Sequence, residues 1–483
     1  MNALLLLFAI PLLIALLGLI RQTARWLPAA AASLMPVQLL FAGWCCLRGW
    51  AQPVSGSADF GLDGVGAAFL FITTLVATAS LIHAAVLLPA ERRESPEISD
   101  RNLCLFYTLV GVFLAAMYGV LLAQNLGYLW IAMEATTLVS APLVFYHRSR
   151  HALEAAWKYL LLCSVGIAFA LFGTVLLIAA QHATGMVASL RWHDLLLHAR
   201  AFDPRLLRLG FIFCLLGYGT KAGIFPLHNW LPDAHSEAPA PASALLSGAL
   251  LNCALVAIWR LSQVMHAAGQ GDLVRQLLVP AGAVTVLAAG ILLLRQRDLK
   301  RMWAYSSVEH VGLLTLAIGI GATPLFLLHA LNHSLVKVAL FLLAGSIMHY
   351  YGTKSLQQIG GLLRTVPTWG VLLAGAGFAI AGSPPFGTFL SEWLLLRDTF
   401  TAGEYLAAGV VIVGLTITFV AITMHISHLL FGKGAAINRP APSPAWSYVP
   451  AALLVMTLLT GLVLTPSAMT VLGAIARVGG IIR

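Results

Sequence analysis

The stretch LLHALNHSLVKVALF sets His329, His333 and Lys337 at intervals of four residues. On a helix, positions i, i+4 and i+8 fall along one stripe, which runs about 12 Å at 1.5 Å per residue. Two imidazoles that titrate near neutral pH, followed by an amine, form a ladder suited to handing on protons. A second amine, Lys221, lies in the apolar stretch YGTKAGIFPLHNWLPDAH, closely followed by His228, Asp233 and His235. Two carboxylates, Glu134 in YLWIAMEATTLVSAPLV and Glu392 in GSPPFGTFLSEWLLL, are as deeply embedded in apolar sequence. A charge near the centre of a bilayer costs a few kcal/mol or more, so such residues face a polar interior and are functional candidates. Two acids and two bases point to ion pairing. Pairing that only fixes helix packing is one reading, but a buried pair is a poor stabiliser beside apolar packing. A lysine poised between desolvation and a movable acid can instead take up and release a proton. For the histidines, a hydrogen-bonded core position competes with the relay, and paired histidines can also ligate haem. Haem needs ligands from facing helices, and no other pair supplies them. His425 and His428 read as a polar helix face.

The chain supplies the hydrophobic scaffold these residues need. Of 483 residues, 60% are hydrophobic and only 10% charged, a composition that excludes an ordinary soluble domain. A spanning helix takes about 20 apolar residues. Fourteen such runs recur, near residues 2–20, 27–47, 65–88, 102–123, 125–146, 155–180, 206–228, 238–263, 274–294, 301–321, 324–350, 367–397, 404–431 and 447–471. The first is interrupted by Pro11, lacks a cleavage-like site and precedes Arg21 and Arg25, so it reads as a retained helix rather than a secretory signal. The net charge of +10 would suit nucleic acid, but the bases are scattered over loops without a long cluster. Sixteen lysines and arginines follow odd-numbered runs, against ten that follow even-numbered runs or close the chain. By the positive-inside rule both termini face away from the cytoplasm. Only Lys221 and Lys337 are assigned by this tally to the spans themselves.

Glycine and proline interrupt two of the runs. The seventh carries Gly217, Gly219 and Gly223 and then Pro226; the twelfth carries Gly382, Pro384, Pro385 and Gly387. Broken helices are tolerated where they line an internal cavity, as in transporters built from inverted repeats. The seventh run is fourth among runs four to eight, and the twelfth is fourth among runs nine to thirteen. The pattern predicts an all-α polytopic membrane protein of about 14 transmembrane helices, with helices 7 and 12 broken and two inverted five-helix repeats. The repeats cover residues 102–263 and 274–431, preceded by three helices in 1–101 and followed by a last helix at 447–471.

Several of these stretches resemble the proton-conducting antiporter-like subunits of complex I, of Mrp antiporters and of membrane-bound hydrogenases. YGTKAGIFPLHNWLPDAHSEAPAPASALLSG is similar to that family's segment around its helix-seven lysine, KRMWAYSSVEHVG to its helix ten, LLHALNHSLVKVALFLLAG to its helix eleven, and FGLDGVGAAFLFI to the start of its helix three. The resemblance covers roughly residues 60–430. YSSVEH and AGSPPFGTFLSEW look closest to the hydrogenase-4 component F branch, with Glu309 before the helix-ten histidine as the distinguishing residue. Only 12 residues follow Val471, too few for the long lateral helix of the most distal complex I subunit. The resemblance implies that Glu134 pairs with Lys221, that Lys221 loads protons, that His310, His329, His333 and Lys337 form the central relay, and that Glu392 is the distal exchanger. His228, Asp233, His235 and Glu309 are accessory candidates. Sister subunits carry a lysine or histidine in helix eight, where this chain offers only Ser243, Ser247 and Asn252.

Six cysteines form no CxxC and lie within apolar runs, which reads as packing. No Walker-type loop or Rossmann fingerprint is present. No cofactor or metal is expected in this chain; iron–sulfur clusters and nickel–iron or other redox centres belong on partner subunits. The expected partners are other membrane subunits and a peripheral redox arm, in the lipid bilayer of the cell inner membrane, with protons as the translocated ion and sodium as the alternative. No nucleic-acid partner is expected. Two rival functions are a sodium/proton antiporter or ion-coupled inorganic-carbon uptake subunit without a redox partner, and an inert anchor, to which the missing helix-eight base lends support.

Overall fold

In hydrocarbon every backbone N–H and C=O must find its partner within the chain, and the apolar runs meet that demand as helices. The computed structural model describes residues 3–51, 54–55, 59–94, 99–435, 442–463, 470 and 472–474. The principal helices are α1 (Ala9–Gly18), α2 (Leu27–Ala51), α3 (Gly64–Glu94), α4 (Asp100–Leu122), α5 (Leu126–Val144), α6 (Arg150–His182), α7a (Pro204–Ala222) and α7b (Trp230–Glu237). They continue as α8 (Ala240–Ala267), α9 (Gly271–Leu293), α10 (Leu299–Gly319), α11 (Thr323–Tyr351), α12a (Pro367–Ile380), α12b (Gly387–Thr401), α13 (Tyr405–Phe431) and α14 (Ala445–Val463). The expected end of the fourteenth run, past Val463, lies mostly outside the described residues, as do Arg439, Arg477 and Arg483. By length and composition ten of the described helices can cross a membrane, and α1 and α12a are apolar but shorter. This is a multi-pass membrane protein. A short helix, Trp192–His198, occupies the α6–α7a connection, which reads in the sequence as a loop.

Helix starts follow their side chains. Ser99, Asn125, Ser149, Asp203 and Asp298 each accept a backbone N–H from the first turn of α4, α5, α6, α7a and α10. The helices alternate in direction, and the junctions sort into two faces. Junctions after odd-numbered helices meet one another: Lys354 pairs with Glu237 and Asp298, and Leu356 N donates to Arg297 O. Junctions after even-numbered helices meet at the other face, where Arg191 pairs with Asp59 and Trp192 N donates to Gln124 O. Helices α3, α8 and α11 form the enclosed centre, while α6, α13 and α14 present apolar side chains outward.

Both expected breaks are present and alike. α7a ends at Gly223 (φ +82°) and α12a runs into Gly382 (φ +68°), and each left-handed glycine is followed three residues later by the proline of a cis peptide bond, Phe225–Pro226 and Pro384–Pro385. At each break a ring N–H reaches a carbonyl of the half-helix's last turn: Trp230 Nε1 donates to Thr220 O at 2.8 Å, which also accepts from Gly223 N, and His310 Nε2 donates to Ile380 O at 3.1 Å. In α8 a π-helical turn, Leu246–Leu250, widens the backbone. Ser247 Oγ there lies 2.8 Å from Ser307 Oγ of α10, and Ser334 Oγ of α11 donates to Gly248 O.

One expectation is corrected. Lys221 and Lys337 are not the only lysines or arginines within the spans: Arg260 lies inside α8, and both it and Lys300, in the first turn of α10, are buried. Arg260 is enclosed by Asp63 at 2.9 Å and by the carbonyls of Leu121 and Ala123, which tie α8 to the ends of α3 and α4. Lys300 lies in the first turn of α10 with its amine on Ala238 O.

Candidate functional site

Lys221 occupies the last turn of α7a, two residues before the left-handed glycine, and is fully buried. Its amine donates to Thr137 Oγ1 of α5 at 2.8 Å and to Tyr159 OH of α6 at 2.9 Å. Tyr159 OH in turn lies 2.6 Å from Ser140 Oγ. Glu134 stands one turn before Thr137 on α5, but its Oε1 accepts from Ser164 Oγ at 2.7 Å while Oε2 is buried without a hydrogen-bond partner. The expected acid and base therefore interact electrostatically without a direct hydrogen bond. Hydroxyls hold the lysine, and one carboxylate oxygen of Glu134 is left without a hydrogen-bond partner.

The second cluster lies across α10, α11 and α12. Lys337 Nζ donates to Trp303 O at 3.0 Å. Glu309, six residues along α10 from Trp303, feels the charge of Lys337 and brings Oε2 to 3.5 Å from His310 Nε2. His310 stacks on His329, with ring centroids 5.1 Å apart, and lies tilted at 44° against His333 at 5.0 Å. His310 Nδ1 and His329 Nε2 are 3.0 Å apart, His329 Nδ1 is 2.9 Å from Ser391 Oγ, and Glu392 Oε1 is 4.0 Å from His310 Nδ1. The seven principal residues thus form two clusters, Glu134 with Lys221, and Lys337, His333, His310, His329 and Glu392, which Glu309 joins.

The acceptors around the histidine pair fix where its protons can be. Ile380 O only accepts, so His310 Nε2 carries hydrogen. When Ser391 donates to His329 Nδ1, the chain from Ser391 through His329 and His310 to Ile380 is complete with both rings neutral. When Ser391 turns its hydroxyl to Thr388 O, 2.9 Å away, His329 Nδ1 must donate, and the 3.0 Å gap between the rings is then a hydrogen bond only if the pair holds an extra proton. One rotating hydroxyl thus separates a neutral arrangement from a protonated one. His310, His329 and Glu392 also bring one potential metal-ligand atom each to within 4.8 Å of one another. The two ring nitrogens are closer than the roughly 3.3 Å edge that Zn–N bonds near 2.0–2.1 Å would give a tetrahedral site, so their spacing suits a proton better than an ion.

The accessory candidates separate. His235, in α7b, is fully buried, stacks on Phe341 at 4.7 Å and feels the charges of Lys300 and Lys337. It provides a titratable group near Lys337, where helix eight places Ser243, Ser247 and Asn252. His228 packs between Phe225 and Tyr305 beside the α7 break. Asp233 is turned outward, paired with Arg301 at 2.7 Å and Lys158 at 3.3 Å, and clamps α7b to α10 and α6 away from the relay. The sequence reading missed Thr137, Tyr159 and Ser391, whose hydroxyls hold the titratable groups.

Buried acids, bases and imidazoles strung between two broken helices define an ion-translocating membrane protein. The family described as NADH:quinone oxidoreductase/Mrp antiporter, transmembrane, matches residues 123–418, and the chain belongs to it. It is 38% identical over 389 residues to the hydrogenase-4 component F homolog of Methylacidiphilum infernorum (isolate V4), covering 80% of this chain and 81% of that one. It is 30% identical over 429 residues to NADH-quinone oxidoreductase subunit N of Desulforudis audaxviator (strain MP104C), covering 86% and 82%. Its fold superposes on a chain of the membrane-bound sulfane sulfur reductase, an archaeal respiratory membrane complex, with a TM-score of 0.85 at 22% identity, covering 99% of this chain and 97% of that one. It is an antiporter-like membrane subunit.

Proposed function

We propose that this chain translocates protons within a multi-subunit, redox-driven complex of the cell inner membrane, whose iron–sulfur, nickel–iron or other redox centres reside on a peripheral arm of partner subunits. Glu134 tunes Lys221 by swinging between Ser164 and the lysine. Lys337, Glu309, His333, His310 and His329 form the central store, and Glu392 exchanges protons beside the α12 break. The observation that carries this reading is the hydrogen-bonded run from Ser391 through His329 and His310 to the free carbonyl of Ile380, with Glu392 at 4.0 Å. The matched breaks support division into two inverted repeats, 102–263 and 274–431. The relatives' names, hydrogenase-4 component F and NADH-quinone oxidoreductase subunit N, support a redox driver.

The test uses the intact complex in sealed vesicles, with protons moved per electron measured for wild type, Glu134→Gln and Lys221→Met in matched amounts of assembled protein. Electron transfer should continue in both variants while the ratio falls. An unchanged ratio in both counts against the relay. Loss of cation exchange in a complex with no electron-transfer reaction identifies an antiporter without a redox partner.

A further inference from the structure

On the face shared by the odd-numbered junctions, a cavity of about 270 Å³ is lined by Glu91, His147, Lys300, His349 and Lys354, with Ala240 and Gly345 at its edge. That volume has room for several water molecules. Glu91, in the last turn of α3, has a buried Oε2 without a hydrogen-bond partner, 3.9 Å from His147 Nε2. Lys300 feels the charge of Glu91. Its amine sits on the carbonyl of Ala238, which caps α7b three positions after His235, and His235 feels both Lys300 and Lys337. Trp303, whose carbonyl holds Lys337, lies three residues after Lys300 and so on the same side of α10. Polar groups thus lead from water to Lys337 without using a polar side chain of α8 or Lys221.

We propose that this cavity is the proton intake of the Lys337 cluster, with Glu91 as the first acceptor and Lys300 as the second. The proposal rests on Lys337 being part of a proton relay. A proton leaves a water in the cavity for the Glu91 carboxylate, the hydroxide escaping to solvent, and the neutral acid passes it to the free amine of Lys300. The ammonium loses it through His235 to the amine of Lys337, and Glu91 and Lys300 return to their starting states. The stretch of helix eight that offers only Ser243, Ser247 and Asn252 is bypassed, because the two lysine clusters load separately.

Two measurements on the assembled complex decide the matter. The first is vectorial proton translocation in Glu91→Gln and Lys300→Met beside Lys337→Met and Lys221→Met. Removing a positioned proton carrier should slow transfer through its branch by about tenfold or more. Full rates in Glu91→Gln and Lys300→Met beside a loss in Lys337→Met would overturn the intake and leave the relay standing, whereas full rates in all four would overturn the relay itself. The second needs no turnover. Glu91→Cys should react with a charged, membrane-impermeant thiol reagent applied to the Arg297 side, while the six native cysteines are buried. Labelling of Lys354→Cys but not Glu91→Cys from that side would show a cavity closed to water and overturn the proposal.

Discussion

At the scale of single residues, the buried amines and imidazoles of the candidate relay are held by hydroxyl groups. Lys221 rests on Thr137 and Tyr159, and His329 on Ser391. The Ser391 hydroxyl supports the neutral histidine pair when it points at His329 and releases it when it points at Thr388 O. Ser391→Ala removes the neutral arrangement's last donor, a loss of one hydrogen bond of about 0.5–1.5 kcal/mol. Proton translocation should slow by roughly two- to tenfold, with Ser391→Thr restoring most of the rate. Equal rates for alanine and wild type would remove Ser391 from the relay. The titratable members were legible in the sequence because a charge inside a long apolar run is conspicuous. Glu91, Lys300 and Arg260 were not, because near the end of a run a long side chain ordinarily reaches solvent, and only the packing of neighbouring junctions encloses them. The hydroxyl partners carry no signal at all, since serine and threonine are common in membrane helices.

At the scale of elements, the breaks in α7 and α12 were legible from glycine and proline, but not the reason each glycine is needed. A side-chain carbon at Gly382 would lie 2.0 Å from Glu392 Oε2, so this position combines a left-handed backbone with the space the carboxylate occupies. Gly403 has φ +79° and open space around it. Alanine at either position should cost about 1–2 kcal/mol of backbone strain, read as similar drops in the melting temperature of the assembled complex. Only Gly382→Ala also pushes Glu392 away from His310, so only it should lose proton translocation. Equal losses in both variants would assign the effect to strain and not to the displaced acid. The π-helical turn of α8 was not legible, because nothing in the composition of LSGAL marks it. It arises where Gly248 packs against Val76 and Val338 and gives its carbonyl to Ser334.

At the scale of the whole molecule, five is an odd number, so consecutive five-helix repeats begin on opposite faces. α7a starts from an even-numbered junction and α7b ends on the odd-numbered face. α12a starts from an odd-numbered junction and α12b ends on the even-numbered one. His235, sixth residue of α7b, and Glu392, sixth residue of α12b, therefore lie toward opposite faces. A path that takes in protons beside His235 and releases them beside Glu392 then crosses the membrane without any helix moving across it. Its direction depends on which face meets the cytoplasm. In the sequence, sixteen lysines and arginines follow odd-numbered runs against ten that follow even-numbered runs or close the chain, and by the positive-inside rule we expect the odd-numbered face to meet the cytoplasm. A reporter inserted after Arg297 should show a cytoplasmic location, and one inserted after Gly403 the opposite side. The reverse result would turn the intake cavity outward. The relay could still conduct, but it would import protons where the present orientation expels them, and a complex driven by electron transfer would then discharge the gradient it should build.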